Sequence, residues 1–355
     1  MAETVCAVCI RRSFAGFCVL GSCLRRRENK EKFSVFCSNC GEKLSDDIKS
    51  CIKCGIKAEE YTPIAPVQPA YRQMPQQPAY PVSSETARQY FCDAYKGKKE
   101  LEYFRHNRSV LYNGDALKSD SFGGEFIDLL VTSPPYNVDI KYNSNNDALT
   151  YEEYLNFSEK WMGNCFLWSN PQARFLLNIP LDKNKGGHKS VGADLTKIAQ
   201  KVGWQYHSTI IWNEGNISRR TAWGSWLSAS CPYVIAPVEL IVILYKGEWK
   251  KTRGTGISDI NKEDFMTWTN GVWTFSGESK KRIGHPAPFP IQLPYRAIKL
   301  FSFVDDVVFD PFTGSGTTLI ASINNNRIGI GLEIDENYCK LAKERILAET
   351  NTMDY

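Results

Sequence analysis

A mostly parallel α/β sheet with helices on both faces, preceded by a small cysteine-stapled module, is the fold class that the sequence predicts. Two observations carry it. From residue 126 onward, apolar runs of strand length alternate with amphipathic, helix-like runs almost to the end of the chain. Alternation of that kind puts neighbouring strands parallel and sends the helices across both faces. Before that body, eight of the twelve cysteines lie ahead of residue 55, and the other four (Cys92, Cys165, Cys231, Cys339) are scattered singly. Such clustering describes a local metal site with ordinary thiols elsewhere, not a disulfide framework.

The elements follow in order. Residues 1–32 form an N-terminal extension without an evident core pattern. Cys6, Cys9, Cys18 and Cys23 have irregular spacing and no glycine knuckles. The readings open for this stretch are a disordered extension, translated upstream sequence and a second zinc site, with disorder favoured. Residues 33–56 hold Cys37, Cys40, Cys51 and Cys54 as CxxC-x10-CxxC, with Gly41 and Gly55 after each pair. Two such turns bring four thiolates to one tetrahedral zinc ion, and so short a segment needs the metal to supply its folding energy. This reads as a zinc ribbon. Residues 57–88 are rich in Pro, Gln and Ala and form a linker. The body spans 89–349, and 350–355 are a tail.

In the body, "FIDLLVT" (126–132) is a strand. Thr150 and Glu153 make a capping box for a helix over 151–168. Strands are expected at 173–180, 206–212 and 238–246, with a helix at 195–203 between the first two. A helix around 291–302, a strand at 306–310, a helix at 316–325, a strand at 327–333 and a helix from Asp335 complete the order.

Two stretches carry chemistry. The first is "VTSPPYNV" (131–138), where a buried strand stops on two prolines, neither of which has an N–H for the ladder. The second is "VVFDPFTGSGTTLI" (307–320), a strand that ends at Asp310, followed by a Gly-rich turn and a helix start. The next strand closes on Glu333. Glycines there let backbone approach a ligand, and a carboxylate after the following strand suits the hydroxyls of a ribose.

"DPFTGSGTT" together with "TSPPYN" resembles the S-adenosylmethionine-dependent DNA amino-methyltransferases, which methylate N4 of cytosine or N6 of adenine. "GHPAPFPIQLPYRAIKLF" (284–301) and "NGDAL" (113–117) match further segments of that family. The resemblance runs from about residue 109 to the C-terminus. The catalytic motif precedes the cofactor motif, which is the circularly permuted arrangement of the family's beta class. It implies a Rossmann-like methyltransferase fold with a mostly parallel, seven-stranded-type sheet.

The resemblance also implies roles. Ser133, Pro134, Pro135 and Tyr136 would be the catalytic set. Asp310, Phe312, Gly314, Gly316 and Thr317 would surround the cofactor's methionine part. Glu333 would hold its ribose, Asp115 would reach its adenine amine, and His285 with Pro286 would close the methionine side. Serine at the head of the catalytic motif goes mostly with N4-cytosine, with N6-adenine as the alternative. Double-stranded DNA would be the substrate, a restriction endonuclease with the same target would be a functional partner, and a homodimer is compatible. A catalytically dead scaffold that binds DNA or a partner is the contrasting reading, opposed by the intact motif residues.

The net charge of +4 permits DNA binding without requiring it. Residues 213–283 interleave Arg219, Arg220, Lys250, Lys251 and other basic side chains with Trp223, Trp226, Trp249, Trp268 and Trp273. This composition suggests a DNA target-recognition region, with Arg219, Arg220, Trp223, Lys250 and Lys251 as contacts. Lys183, Lys185 and His188 make a second basic loop. No apolar run is long enough to cross a bilayer, and a cytoplasmic, nucleoid-associated protein is expected.

Overall fold

The computed structural model describes residues 97–136, 149–181, 189–215, 224–232, 238–278 and 290–350, and the backbone of four short strands before them. The chain divides into two units, Met1–Tyr80 and Pro81–Tyr355. In the first, β1 (Ile10–Arg12) pairs antiparallel with β2 (Cys18–Leu20), and β3 (Val35–Phe36) with β4 (Lys43–Leu44). The first of these pairs lies within the extension at 1–32. Cys37, Cys40, Cys51 and Cys54 lie outside the described residues.

The second unit is built on one nine-stranded sheet. Its strands are β5 (Glu102–His106), β6 (Ser109–Asn113), β7 (Ile127–Thr132), β8 (Ser169–Pro180), β9 (Gln205–Asn213), β10 (Val238–Tyr245), β11 (Val272–Thr274), β12 (Val307–Asp310) and β13 (Ile328–Glu333). The spatial order is β11-β9-β10-β8-β7-β12-β13-β6-β5. The central five, β8-β7-β12-β13-β6, are all parallel. β10 runs antiparallel between β8 and β9, and β5 closes the far edge antiparallel. The predicted class holds. The strand count exceeds the seven-stranded expectation by two because β5 and the three-residue β11 extend the two edges.

Helices cover both faces: α1 (Tyr151–Trp168), α2 (Val191–Lys201), α3 (Lys262–Trp268), α4 (Gln292–Phe301), α5 (Thr317–Ile323) and α6 (Glu336–Glu349). The Thr150–Glu153 capping box starts α1 as expected. Its buried residues Tyr154, Ser158, Trp161, Cys165 and Trp168 recur every three or four positions, one face of a helix. Strand side chains alternate between faces. Val242 and Leu244 of β10 join the layer under α1 and α2, while Ile241 and Ile243 join the layer with α4. Each such fully buried side chain contributes roughly 1.5–3 kcal/mol.

The chain's two motif-bearing halves meet at one place. β7 leads on to β8 on one side, and β12 leads on to β13 on the other, with β7 and β12 parallel neighbours. That is the switch point of the sheet, where the connections diverge and leave a crevice outside the strand C-termini. Both candidate motifs follow these two strands directly.

Lys251 lies at the opposite end of the sheet. It is not on a DNA-facing surface. Its side chain is 1% exposed, and its ammonium pairs with Asp306 at 2.8 Å and sits 3.6 Å from Asp128. Asp128 Oδ2 in turn accepts the Val307 N–H, so the lysine ties the starts of β7 and β12 together. Lys250 is exposed but adjacent to it, at the end of the sheet away from Ser133. Trp268 and Trp273 are buried, and Trp249 stacks on His207 at 3.7 Å. The recognition region of 213–283 also contains β10, an interior strand of the sheet. Replacing Lys251 with Met leaves a buried carboxylate uncompensated. A loss of about 3–5 kcal/mol is expected in urea unfolding, with methylation per folded molecule unchanged. Lost activity without lost stability would favour a DNA contact instead.

Candidate active site

β12 ends on Asp310, which is fully buried. Its Oδ1 accepts from Thr132 Oγ1 at 2.7 Å and from the Phe312 N–H at 3.1 Å, and its Oδ2 accepts from Thr318 Oγ1 at 2.7 Å. The Thr132 bond joins the last residue of β7 to the last of β12, 178 positions apart in the chain. Asp310 thus holds three things at once: the end of β7, the turn and the first part of α5.

The Gly-rich turn is pinned from two sides. The Gly314 N–H donates to Glu333 Oε2 at 2.8 Å, and the Asp335 N–H donates to Oε1 at 2.9 Å. From α6, Arg345 Nη1 donates to the Ser315 carbonyl at 2.7 Å and to Thr317 Oγ1 at 3.1 Å. Arg345 carries no motif signal, because its partners lie 28 to 30 residues upstream. Gly316 takes φ +83°, in the left-handed region that glycine favours. Gly331 lets the turn lie flat on β13, since a Cβ there would come within 2.4 Å of Thr313 Oγ1. The Phe312 ring meets Trp161 of α1 edge-on at 5.2 Å.

Asp115 reaches the same edge through backbone. The Gly114 N–H donates to the Glu333 carbonyl at 2.9 Å, and Asn113 Nδ2 donates to that same carbonyl, also at 2.9 Å. "NGDAL" and Glu333 are therefore neighbours. Asp115 Oδ1 accepts the Leu117 N–H and shapes its own turn. Ile334, 53% exposed, stands beside Glu333 as an apolar surface that motif reading missed.

Burial pushes Asp310 and Glu333 up to about 6, against the opposing pull of their N–H and O–H donors. Among the described residues neither has a cationic partner. Two buried carboxyl groups beside a glycine turn suit a ligand that brings its own positive charge. The sign for stability follows. In the unfolded chain these groups ionise near their ordinary values of 3.8 and 4.5, whereas in the fold they keep the proton up to about 6. Their contribution is complete below the unfolded values and is lost as pH rises through about 6. Glu333→Gln cannot ionise. It should flatten this part of the slope when unfolding free energy is followed between about pH 4 and 7. A slope equal to wild type would refute the assignment.

On the neighbouring strand end, Ser133 Oγ and Tyr136 Oη are 2.6 Å apart. Tyr136 Oη donates to Glu239 Oε2 at 2.9 Å. Asn178 Nδ2 donates to Tyr136 Oη at 2.8 Å and to Glu239 Oε2 at 2.6 Å. Asn178 lies near the end of β8, and Glu239 lies at the start of the antiparallel β10, so both arrive at the edge that holds Ser133 and Tyr136. Neither belongs to a motif, and only the strand order brings them there. Pro134 is buried and Pro135 half-buried, both without an N–H to compete for the edge. His285, Pro286, Arg219, Arg220, Trp223, Lys183, Lys185 and His188 lie outside the described residues.

With this geometry in hand, comparison with known proteins is direct. The model of the DNA methylase family N6_N4_Mtase matches residues 127–344. The chain belongs to that family. This chain is 59% identical over 177 residues to the type II methyltransferase M.MjaVI of Methanocaldococcus jannaschii, covering 50% of this chain and 90% of that one. It is 28% identical over 264 residues to M.ScaI of Streptomyces caespitosus, covering 71% and 85%. A DNA modification methylase assignment attaches to TTHA0409 of Thermus thermophilus, solved with S-adenosyl-L-methionine. It superimposes with TM-score 0.55 at 28% identity, covering 68% of this chain and 95% of that one. The PvuII cytosine-N4-specific DNA methyltransferase shares the fold, with TM-score 0.53 at 22% identity, covering 72% and 95%. A zinc-ribbon model matches residues 36–57. The protein is thus a DNA methyltransferase of the type II family with a zinc-ribbon domain. No described helix is long and apolar enough to cross a membrane.

Proposed function

We propose that the protein methylates the N4 amine of a cytosine flipped out of duplex DNA at a specific site. What supports this reading is one juxtaposition: Ser133–Tyr136 and the Asp310–Gly316 turn stand on adjacent strand ends, coupled through the Thr132–Asp310 bond. Cofactor and base pockets built on neighbouring strands share one crevice. Asp310, Phe312, Gly314, Gly316 and Thr317 would hold the cofactor's methionine part, Glu333 the ribose, and Asp115 the adenine. His285 and Pro286 would cover it. The bound cofactor supplies an electrophilic methyl group.

The chain supplies the rest. An exocyclic amine is a poor nucleophile because its lone pair is delocalised into the ring. Acceptors on its N–H bonds favour the tetrahedral nitrogen and stabilise the positive charge that develops there. Ser133 Oγ is one acceptor and the Pro134 carbonyl is the other. Tyr136 offers a ring on which the extruded base stacks. Serine at position 133 favours cytosine over adenine. The PvuII likeness shows the fold alone and does not decide the base.

The connection between β9 and β10 leaves and returns at this catalytic edge and contains Arg219, Arg220 and Trp223, which we assign to DNA. Within it Trp226 is 64% exposed. Trp226→Ala should weaken duplex binding in a filter or anisotropy titration without changing cofactor affinity. Unchanged DNA affinity would remove this segment from the interface. Cys37, Cys40, Cys51 and Cys54 would hold the ribbon's zinc, and an endonuclease with the same target is the expected functional partner. The deciding experiment is mass spectrometry of nucleosides after incubation with S-adenosyl-L-methionine and unmodified genomic DNA. N4-methylcytosine supports the reading, N6-methyladenine moves it to the other base, and no methylated base on diverse DNA defeats it.

A further inference from the structure

A phenol has one hydrogen. Tyr136 gives it to Glu239 Oε2, at 2.9 Å. Every other group close to Tyr136 Oη must then donate to it. Asn178 Nδ2 does so at 2.8 Å, and Ser133, 2.6 Å away, must do the same with its only hydrogen. An ionised Glu239 therefore orients the whole chain: Ser133 donates to Tyr136, and Tyr136 donates to Glu239. Ser133 then has only lone pairs to present to a substrate amine. Were Glu239 protonated at Oε2, it would donate to Tyr136. Tyr136 could then donate to Ser133, and the serine hydrogen would be free to bind the amine's lone pair and block attack. An amide at 239, whose oxygen Asn178 would hold at that place, could accept from Tyr136 but take up no proton.

The same chain is a path for a proton. We propose that Ser133, Tyr136 and Glu239 form a relay in which Glu239 keeps Ser133 an acceptor before methyl transfer and takes up the amine's proton after it. This rests on the amino-methyltransferase reading above. In the transfer, nitrogen gains the N–C bond, and sulfur keeps the electron pair of the broken C–S bond. The nitrogen, now positive, passes one proton to Ser133 Oγ. Ser133 passes its own hydrogen to Tyr136 Oη, and Tyr136 passes its hydrogen to Glu239 Oε2. The product amine is neutral, both hydroxyls are restored, and Glu239 carries one proton to be released to water.

Glu239 is suited to the task. Asn178 is 1% exposed and donates to the same oxygen at 2.6 Å, which fixes the carboxylate in place. Burial raises its proton affinity, the Asn178 and Tyr136 bonds lower it, and Glu214, just past the end of β9, raises it further. Among the described residues, the groups that face it are Tyr136 from beyond β7, Asn178 from β8 and Glu214 from beyond β9. Glu239 touches neither substrate nor cofactor in this scheme, so it is a positioning and proton-accepting residue rather than a catalytic one.

The test is single-turnover methylation of unmodified DNA at saturating cofactor, between about pH 5 and 9, for wild type, Glu239→Gln, Tyr136→Phe and the double variant. Cofactor affinity by calorimetry reports folding. Glu239→Gln is expected to lower the rate by about 10²-fold and to lose the rise of rate on the acid side. Tyr136→Phe keeps the ring and should show the same loss. The double variant should match Tyr136→Phe within about twofold, because a relay cut once gains nothing from a second cut. Glu239→Gln with wild-type rate and pH profile, or losses that multiply in the double variant, would overturn the relay alone. If Glu239→Gln binds no cofactor, the Tyr136→Phe profile decides: its acid limb lost supports the relay, and an unchanged profile overturns it. An inactive wild type overturns the methyltransferase reading and the relay with it.

Discussion

Tyr136→Ala is expected to reduce turnover on duplex DNA by more than about 10²-fold, with cofactor affinity unchanged within about twofold. Stacking of a base on an aromatic ring is worth about 1–3 kcal/mol, which alone spans about 5- to 150-fold. The alanine also removes the hydroxyl that Ser133, Asn178 and Glu239 share. Ser133 loses its orienting partner, and Asn178 and Glu239 are left to pair with each other. The Asp310–Glu333 network is held by its own donors, Thr132, Thr318 and the turn's N–H groups, so the cofactor site should survive. Steady-state kinetics paired with calorimetry separate the two quantities. A variant with half of wild-type turnover would contradict the stacking role, and one that fails to bind cofactor would show that the two pockets are not separable.

Gly316→Val is expected to lower cofactor affinity by more than about 10²-fold. Two physical costs act together. The backbone at 316 is left-handed, with φ +83°, where a β-branched residue is strained by about 1–3 kcal/mol. A Cβ would also lie 3.1 Å from the Ala342 Cβ and 3.3 Å from its Cα on α6. Neither neighbour can move without shifting the helix, so the turn must rotate instead. Rotation withdraws the Gly314 N–H from Glu333 and the Ser315 carbonyl from Arg345. The donors and carboxylates proposed to hold the cofactor are then misplaced together. Equilibrium dialysis with labelled cofactor gives the affinity, and a dissociation constant within about tenfold of wild type would refute this view of the turn.

The largest error of sequence reading was local and instructive. Lys251 stands in "EWKKTR", beside exposed Lys250 and among aromatics, and composition alone makes it resemble a phosphate contact. Its partners, Asp306 and Asp128, are 55 and 123 positions away along the chain and carry no motif. Trp268 and Trp273 misled for the same reason. A tryptophan looks alike in the core or on an interface until its neighbours are known, and here both form the layer under α4, with the Arg296 guanidinium 5.5 Å above each ring. Sequence reading also passed over β5, β6, α3 and β11. β6 is short, and its apolar residues Val110, Leu111 and Tyr112 are buried on both faces, so no alternation announces it.

The sequence by itself determined the fold class, the positions of the main strands and helices, and the identity of the two chemical motifs. These depend on local rules: the period of apolar residues, the Thr150–Glu153 cap, prolines that end a strand, and glycines that permit a turn. The tertiary structure alone decided what stands beside those motifs. Strand order set β7 against β12, which turned two segments 178 positions apart into one hydrogen-bonded edge at Thr132 and Asp310. It also carried Asn178 and Glu239 to Tyr136, and Arg345 to the glycine turn. Local preference acts over a few residues, whereas hydrogen-bond chains and buried ion pairs form only between groups that sheet topology has made neighbours.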